Sequence, residues 1–158
     1  MLAYAPGLIE PGTKLKQMVM NLDIAPTMLE LAGAKPDEDV IMDGKSFLPL
    51  LTGKDVSWRE HILYEYHWEW NFPATPSLFA IRDERFKFIF YHGVWDRNGF
   101  YDLKTDPHER HNLINVPAYQ EQIAAMQTKL FDEMEQRDAL VLPVRRPVGA
   151  RLDDRKLP

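Results

Sequence analysis

The sequence contains no cysteine. That absence removes disulfides, thiolate metal sites and cysteine nucleophiles at once, and it leaves the redox compartment unreadable. No apolar run approaches the roughly 20 residues needed to cross a bilayer, and the opening residues lack a charged region followed by a long apolar one, so nothing addresses the chain to a membrane or compartment. An excess of positive charge is missing as well. The formal charge is -5 and the basic residues are scattered through the first two-thirds, which leaves no electrostatic footprint for nucleic acid there. Internal repeats are absent. What is present is 158 residues with 45% hydrophobic content, enough for one globular unit burying on the order of two-thirds of its unfolded surface.

Residues 1–5 read as the end of a strand running into the Pro6-Gly7 turn, a strand whose neighbours would have to come from elsewhere. Asp23 is placed to cap a helix, Pro26 suits its first turn and Gly33 its C′ position. Ile24, Met28, Leu31 and Ala32 share one face of that helix and are expected to pack inward. Residues 36–39 form a polar loop and Asp43-Gly44 a turn. Ser46 could cap a single helical turn over 47–51, ended by Gly53.

From Trp58 the texture turns β-rich. Segments 61–66, 78–82, 86–92 and 99–103 are heavy in aromatic and branched residues and predict about four antiparallel strands. Asp83-Glu84-Arg85 is short enough for a hairpin, and 93–98 is a looser link. A long loop over 68–77, with Trp68, Trp70 and Phe72 and two prolines, separates the first two strands. Pro117 opens a last helix in which Ile123, Met126, Leu130, Phe131 and Met134 recur at helical spacing, a stripe that should cover one face of the sheet. The fold class is therefore α+β, and the Arg- and Pro-rich residues 144–158 read as an extended or disordered arm.

Four signatures stand in a fixed order: DIAPTMLELAG (23–33), MDGKSFLPLLTG (42–53), WRE (58–60) and FYDLKTDPHERHNL (100–113). Together they resemble the C-terminal part of sulfatases, most of all the bacterial group similar to N-sulfoglucosamine sulfohydrolase and the heparan-type enzymes. The resemblance, which runs to about Pro147, implies the end of an alkaline-phosphatase-like α/β core over residues 1–57 and a C-terminal subdomain over 58–142 in which a long helix packs on a four-stranded antiparallel sheet; composition marks 143–158 as a basic Pro/Arg-rich tail. It implies hydrolysis of sulfate esters or sulfamates, with a sulfated carbohydrate or aryl sulfate as substrate, and relatives that are often exported to periplasm, exterior or lysosome. It implies two further parts. One is a formylglycine made from Cys or Ser in a C/S-x-P-x-R motif; the other is a calcium ion held by oxygen ligands, which neutralises charge on the sulfate.

Neither part is visible in these residues. Ser46 precedes Phe47-Leu48-Pro49, Ser57 precedes Trp58-Arg59-Glu60, and Ser77 precedes Leu78-Phe79-Ala80, so none fits the nucleophile motif. No catalytic residue and no metal ligand is carried over from the family, and the chain alone is expected to be inactive. The resemblance does bring one loop over the substrate pocket, and on it Tyr66, His67, Trp68 and Glu69 are the candidate substrate-binding residues. His67 and Glu69 would hydrogen-bond hydroxyls or a charged group, and Trp68 or Trp70 would face a sugar ring. The alternative is that the two tryptophans fill the core between sheet and helix.

Three other groupings carry paired readings. His108 and His111, three apart beside Asp106 and Glu109, have the spacing of a metal pair, while Asp106-Pro107 has the pattern of a helix start. Arg82, Arg85 and Lys87 flank the hairpin and either meet sulfate or form a solvated rim paired with Asp83 and Glu84. Arg145, Arg146, Arg151, Arg155 and Lys156 either drape over an acidic surface or belong to a disordered end. At the level of the whole chain, the alternative to a sulfatase part is a noncatalytic glycan-binding or assembly module. Such a module would form a homo-oligomer or complement a separate catalytic half.

Overall fold

The computed structural model describes residues 1–37, 39–93 and 97–140. The basic-tail expectations for 143–158 lie outside them. Two compact units divide the chain, Met1–Glu60 and a second that begins at His61.

In the first unit no strand forms over residues 1–5. Leu2 and Tyr4 are exposed, and the Ala5 carbonyl accepts hydrogen bonds from the N–H groups of Leu8 (3.1 Å) and Ile9 (3.0 Å) in a turn. An extended segment with no ladder to join satisfies its backbone locally instead. A 3₁₀ turn, Asn21–Asp23, leads into helix α1, Ile24–Leu31. Gly33 at φ 65° closes it: the Gly33 N–H donates to the Glu30 carbonyl (3.1 Å) and the Ala34 N–H to that of Leu29 (2.9 Å), the paired bonds of a Schellman motif. Gly53 ends the single turn α2, Leu48–Leu51, in the same way, with Gly53 bonded to Leu50 and Lys54 to Pro49. Phe47 holds the cap position there; Ser46, one residue earlier, accepts the Leu48 N–H at 3.3 Å.

The α1 face expected to pack inward does the opposite. Ile24, Met28 and Leu31 are exposed, whereas Asp23 and Thr27 are fully buried. The Thr27 hydroxyl donates to the Asp23 carbonyl (2.6 Å) and accepts the Phe47 N–H (3.1 Å), so the helix seats its polar side on the 44–47 segment. Asp43-Gly44 is not a turn either. Gly44 lies so close to the Leu22 carbonyl that a Cβ would collide with backbone, and close approach, not a positive φ, is what requires glycine there.

The second unit is a four-stranded antiparallel meander, β1 Ile62–Tyr66, β2 Ser77–Arg82, β3 Phe86–His92 and β4 Gly99–Asp102, in spatial order 1-2-3-4. Its register pairs Leu63 with Ile81, Ile81 with Phe88, and Phe88 with Phe100, which puts these side chains on one face. A 3₁₀ turn, Pro117–Tyr119, starts helix α3, Gln120–Gln136, and Ile123, Met126, Leu130, Phe131 and Met134 cover that face as their spacing predicted. Rings add specific contacts: Phe90 meets Phe131 edge-on at 5.6 Å, and Phe86 stacks on Phe100 at 5.3 Å. The β2–β3 hairpin is tied by Asp83, whose Oδ1 accepts the N–H groups of Arg85 (2.7 Å) and Phe86 (2.6 Å). The free edge of β4 is covered: the Phe100 N–H donates to Asn112 Oδ1 (3.0 Å) and its carbonyl accepts the Leu113 N–H (2.8 Å).

Candidate functional site

Three of the four sequence signatures converge on one carboxylate. Asp23 is fully buried and does not cap α1 with its side chain. Its Oδ2 accepts the Met20 N–H (2.7 Å), its Oδ1 accepts the Lys45 N–H (2.9 Å), and the Arg59 guanidinium takes both oxygens at 2.5 and 2.6 Å. Burial pushes its pKa up, but the Arg59 hydrogen bond and the two backbone N–H groups outweigh it and hold the carboxyl below its ordinary value. Trp58 completes the arrangement: its ring lies 5.2 Å from the Lys45 ammonium and 5.0 Å from the Arg59 guanidinium, and its Nε1–H donates to the Met18 carbonyl (2.9 Å). No local pattern in the sequence shows this cluster, because its hydrogen-bonded partners lie up to 40 residues apart. Each Asp23 oxygen accepts one backbone N–H and one Arg59 nitrogen, so the cluster fastens the unit and the carboxylate is committed to it.

The fourth signature is also spent on structure. Asp102, fully buried, accepts Arg85 Nη2 at 3.0 Å and the Lys104 N–H at 3.1 Å, and the Arg85 hydrogen bond, against the effect of burial, lowers its pKa. Arg85 also lies over the Phe86 ring at 4.6 Å. Lys87 pairs with Glu109 at 2.8 Å. Arg85 and Lys87 therefore bind Asp102 and Glu109, not the Asp83 and Glu84 expected from the hairpin, while Arg82 is exposed. The Asp106-Pro107 helix start is absent: residues 104–116 are turns and irregular chain, and Asp106 accepts the His111 N–H at 2.8 Å, the main cause of its lowered pKa. His108 and the His111 imidazole are exposed. Among the described residues no cluster of three or more His, Asp or Glu could hold a metal ion. Among the described residues, Asp23, Asp102, Asp106 and Glu109 are each committed to N–H donors or cations and do not fit the family's calcium.

The β1–β2 loop is different. Tyr66 ends β1, half-buried; burial and the Glu69 carboxylate that accepts its hydroxyl raise its pKa. His67 is exposed, with its ring edge-on to Phe79 at 5.8 Å. The Trp68 N–H donates to Ser77 Oγ (2.7 Å) and its Nε1–H to the Pro73 carbonyl (3.2 Å). Two turns stiffen the loop, from the Phe72 N–H to Glu69 O (3.0 Å) and from Thr75 to Phe72 (2.9 Å). The tryptophans do not fill the core. Trp68 is 48% exposed and Trp70, edge-on to it at 6.3 Å, is 83% exposed. Tyr66, His67, Trp68 and Glu69 are thus brought together at one end of the sheet, with aromatic faces, a carboxylate and an imidazole toward solvent.

A four-stranded antiparallel meander under one helix is an architecture this chain shares with solved sulfatases of the alkaline-phosphatase-like kind. Residues 1–136 match the family described as N-sulphoglucosamine sulphohydrolase, C-terminal, and the chain belongs to that family. It is similar to an ulvan-active sulfatase of Formosa agariphila, 33% identical over 82% of this chain and 30% of that protein. It is likewise similar to an N-acetylglucosamine-6-O-sulfatase of Bacteroides thetaiotaomicron, 31% identical over 83% of this chain and 23% of that one. A solved structure of a protein in complex with its substrate D-glucosamine-2-N,6-O-disulfate superposes with a TM-score of 0.75 at 27% identity, covering 86% of this chain and 28% of the other. The chain therefore spans less than a third of the length of these relatives.

Proposed function

We propose that this chain is the C-terminal part of a sulfatase that hydrolyses a sulfuric ester or sulfamate on a sulfated carbohydrate. Residues 1–57 then close the α/β core, 58–142 form the C-terminal subdomain and 143–158 the basic tail. The chain contributes scaffold and one wall of the substrate pocket, and the formylglycine and calcium ligands come from polypeptide outside this sequence. The observation that carries the reading is the loop Tyr66, His67, Trp68 and Glu69. It lies outside the four signatures, and there His67, Trp68, Glu69 and the adjoining Trp70 are exposed side by side. The sulfatase activity in the names of the similar proteins supports the substrate class.

The test is sulfate release from a 6-O-sulfated glucosamine and from an aryl sulfate. The complete polypeptide is expected to turn over. The 158-residue chain is expected to release nothing, with or without calcium, since positioning groups without a nucleophile leave the S–O bond intact. His67→Ala and Glu69→Ala in the complete polypeptide are expected to lower kcat/KM by about tenfold or more on an oligosaccharide that carries the 6-O-sulfated glucosamine. Turnover by the pure chain, or unchanged kcat/KM in both variants, removes the reading.

A second reading, a noncatalytic module that self-associates or complements a separate half, is favoured by one observation, the exposed apolar face Ile24, Met28 and Leu31. It predicts a concentration-dependent mass in sedimentation. A strictly monomeric mass counts against it.

A further inference from the structure

From Ile62 to Ile81 the sequence has no lysine or arginine, and its acidic residues are Glu65 and Glu69. A sulfate group is an anion that needs cationic or N–H donors, and a carboxylate repels it. The β1–β2 loop therefore has the wrong charge to grip the sulfate of a sulfated sugar, although it has the right surface for a sugar ring. Trp70 offers that surface: it is 83% exposed, yet it is held edge-on by Trp68, which is itself fixed by hydrogen bonds to Ser77 and Pro73. An aromatic face held open to water suits the apolar C–H face of a pyranose. Glu69, beside it in the chain, is acceptor-only when ionised. It already takes the Tyr66 hydroxyl, and its remaining acceptor sites suit sugar hydroxyls or a protonated amino group. The exposed Arg97 sits in the β3–β4 link, which leaves the sheet at the same end, so a cation for the sulfate belongs to a different segment.

We propose that Trp70 and Glu69 form a subsite for an unsulfated sugar ring, next to the sulfated one that reacts, and that this subsite sets a preference for oligosaccharide over small aryl sulfates. The proposal rests on the reading of this chain as part of a glycan sulfatase. It concerns binding, though, and is tested without turnover. Saturation-transfer NMR would be recorded on the 158-residue chain with a disaccharide of one 6-O-sulfated and one unsulfated N-acetylglucosamine, and with phenyl sulfate.

Transfer is expected to be about threefold or more stronger to the unsulfated ring than to the sulfated one, and negligible to phenyl sulfate. Trp70→Ala should abolish it, Trp70→Phe should retain most of it, and Glu69→Gln should weaken it severalfold. Because Trp70 is a surface side chain, an amide spectrum unchanged outside the loop verifies that the variants fold. Three results overturn the subsite: no transfer to either ring, transfer strongest to the sulfated ring, or transfer indifferent to Trp70→Ala. Failure of the complete polypeptide to release sulfate, with the disaccharide still bound through Trp70, would instead remove the sulfatase reading and leave the subsite standing.

Discussion

A methyl group added at Gly44 would collide with the Leu22 backbone, and no rotamer change relieves a clash with a carbonyl. Gly44→Ala is therefore expected to destabilise the first unit by about 2–3 kcal/mol, read as a shift of its urea midpoint. Arg59→Ala removes the bidentate partner of a fully buried carboxylate and leaves Asp23 with two backbone donors. A loss of about 3 kcal/mol is expected, and Arg59→Lys should recover only part of it, because an ammonium cannot match both oxygens. A loss below about 0.5 kcal/mol for Arg59→Ala would mean that the pair is not what fastens the unit. Neither effect is legible in the sequence. Asp-Gly is a turn signal on local statistics, and only the passage of residue 44 against residue 22 shows that the glycine is there for space.

At the scale of elements, the sequence is a good guide where a segment's own pattern decides its environment. The four strands fall within a residue or so of their expected bounds, because dense aromatic and branched residues pack against one helix. The α3 stripe is buried residue for residue. Phe131→Ala should cost about 3–4 kcal/mol and lower the melting temperature of the second unit, since the ring is 1% exposed and meets Phe90. Helix α1 shows where such reasoning stops. Its boundaries and C-terminal cap follow from Pro26 and Gly33, yet its apolar side faces outward, because the 44–47 segment offers backbone hydrogen bonds to Thr27 and Asp23. Met28→Lys is accordingly expected to change the stability of this chain by less than about 0.5 kcal/mol. The candidate site was legible as a loop, but the exposure of Trp70 was not: alternation at a strand end is compatible with either side of the sheet.

For the whole molecule, acid is the informative perturbation. Asp23, Asp102 and Glu133 all have pKa values below their ordinary ones. In Glu133, burial is outweighed by hydrogen bonds from Arg137 and from His61, the latter at 2.9 Å. Carboxyls that bind protons less readily when folded contribute stability that is fully present above the unfolded value near 4. That contribution is lost as pH falls through the lowered folded values. Urea midpoints should be level from pH 7 to about 5 and fall below about 4. Asp102→Asn should start lower at pH 7 and lose less on acidification. A midpoint that rises on acidification would contradict the sign.

The two units differ in what keeps them closed. Phe47 and Leu50 are the only buried apolar side chains described in the first, whereas a continuous layer from Phe79 to Met134 fills the second. A latch made of one ionised oxygen pair releases to protons long before a greasy interior does. Pepsin added below about pH 4 should accordingly nick the chain ahead of His61 first and trim back to a resistant piece that retains the sheet and its helix.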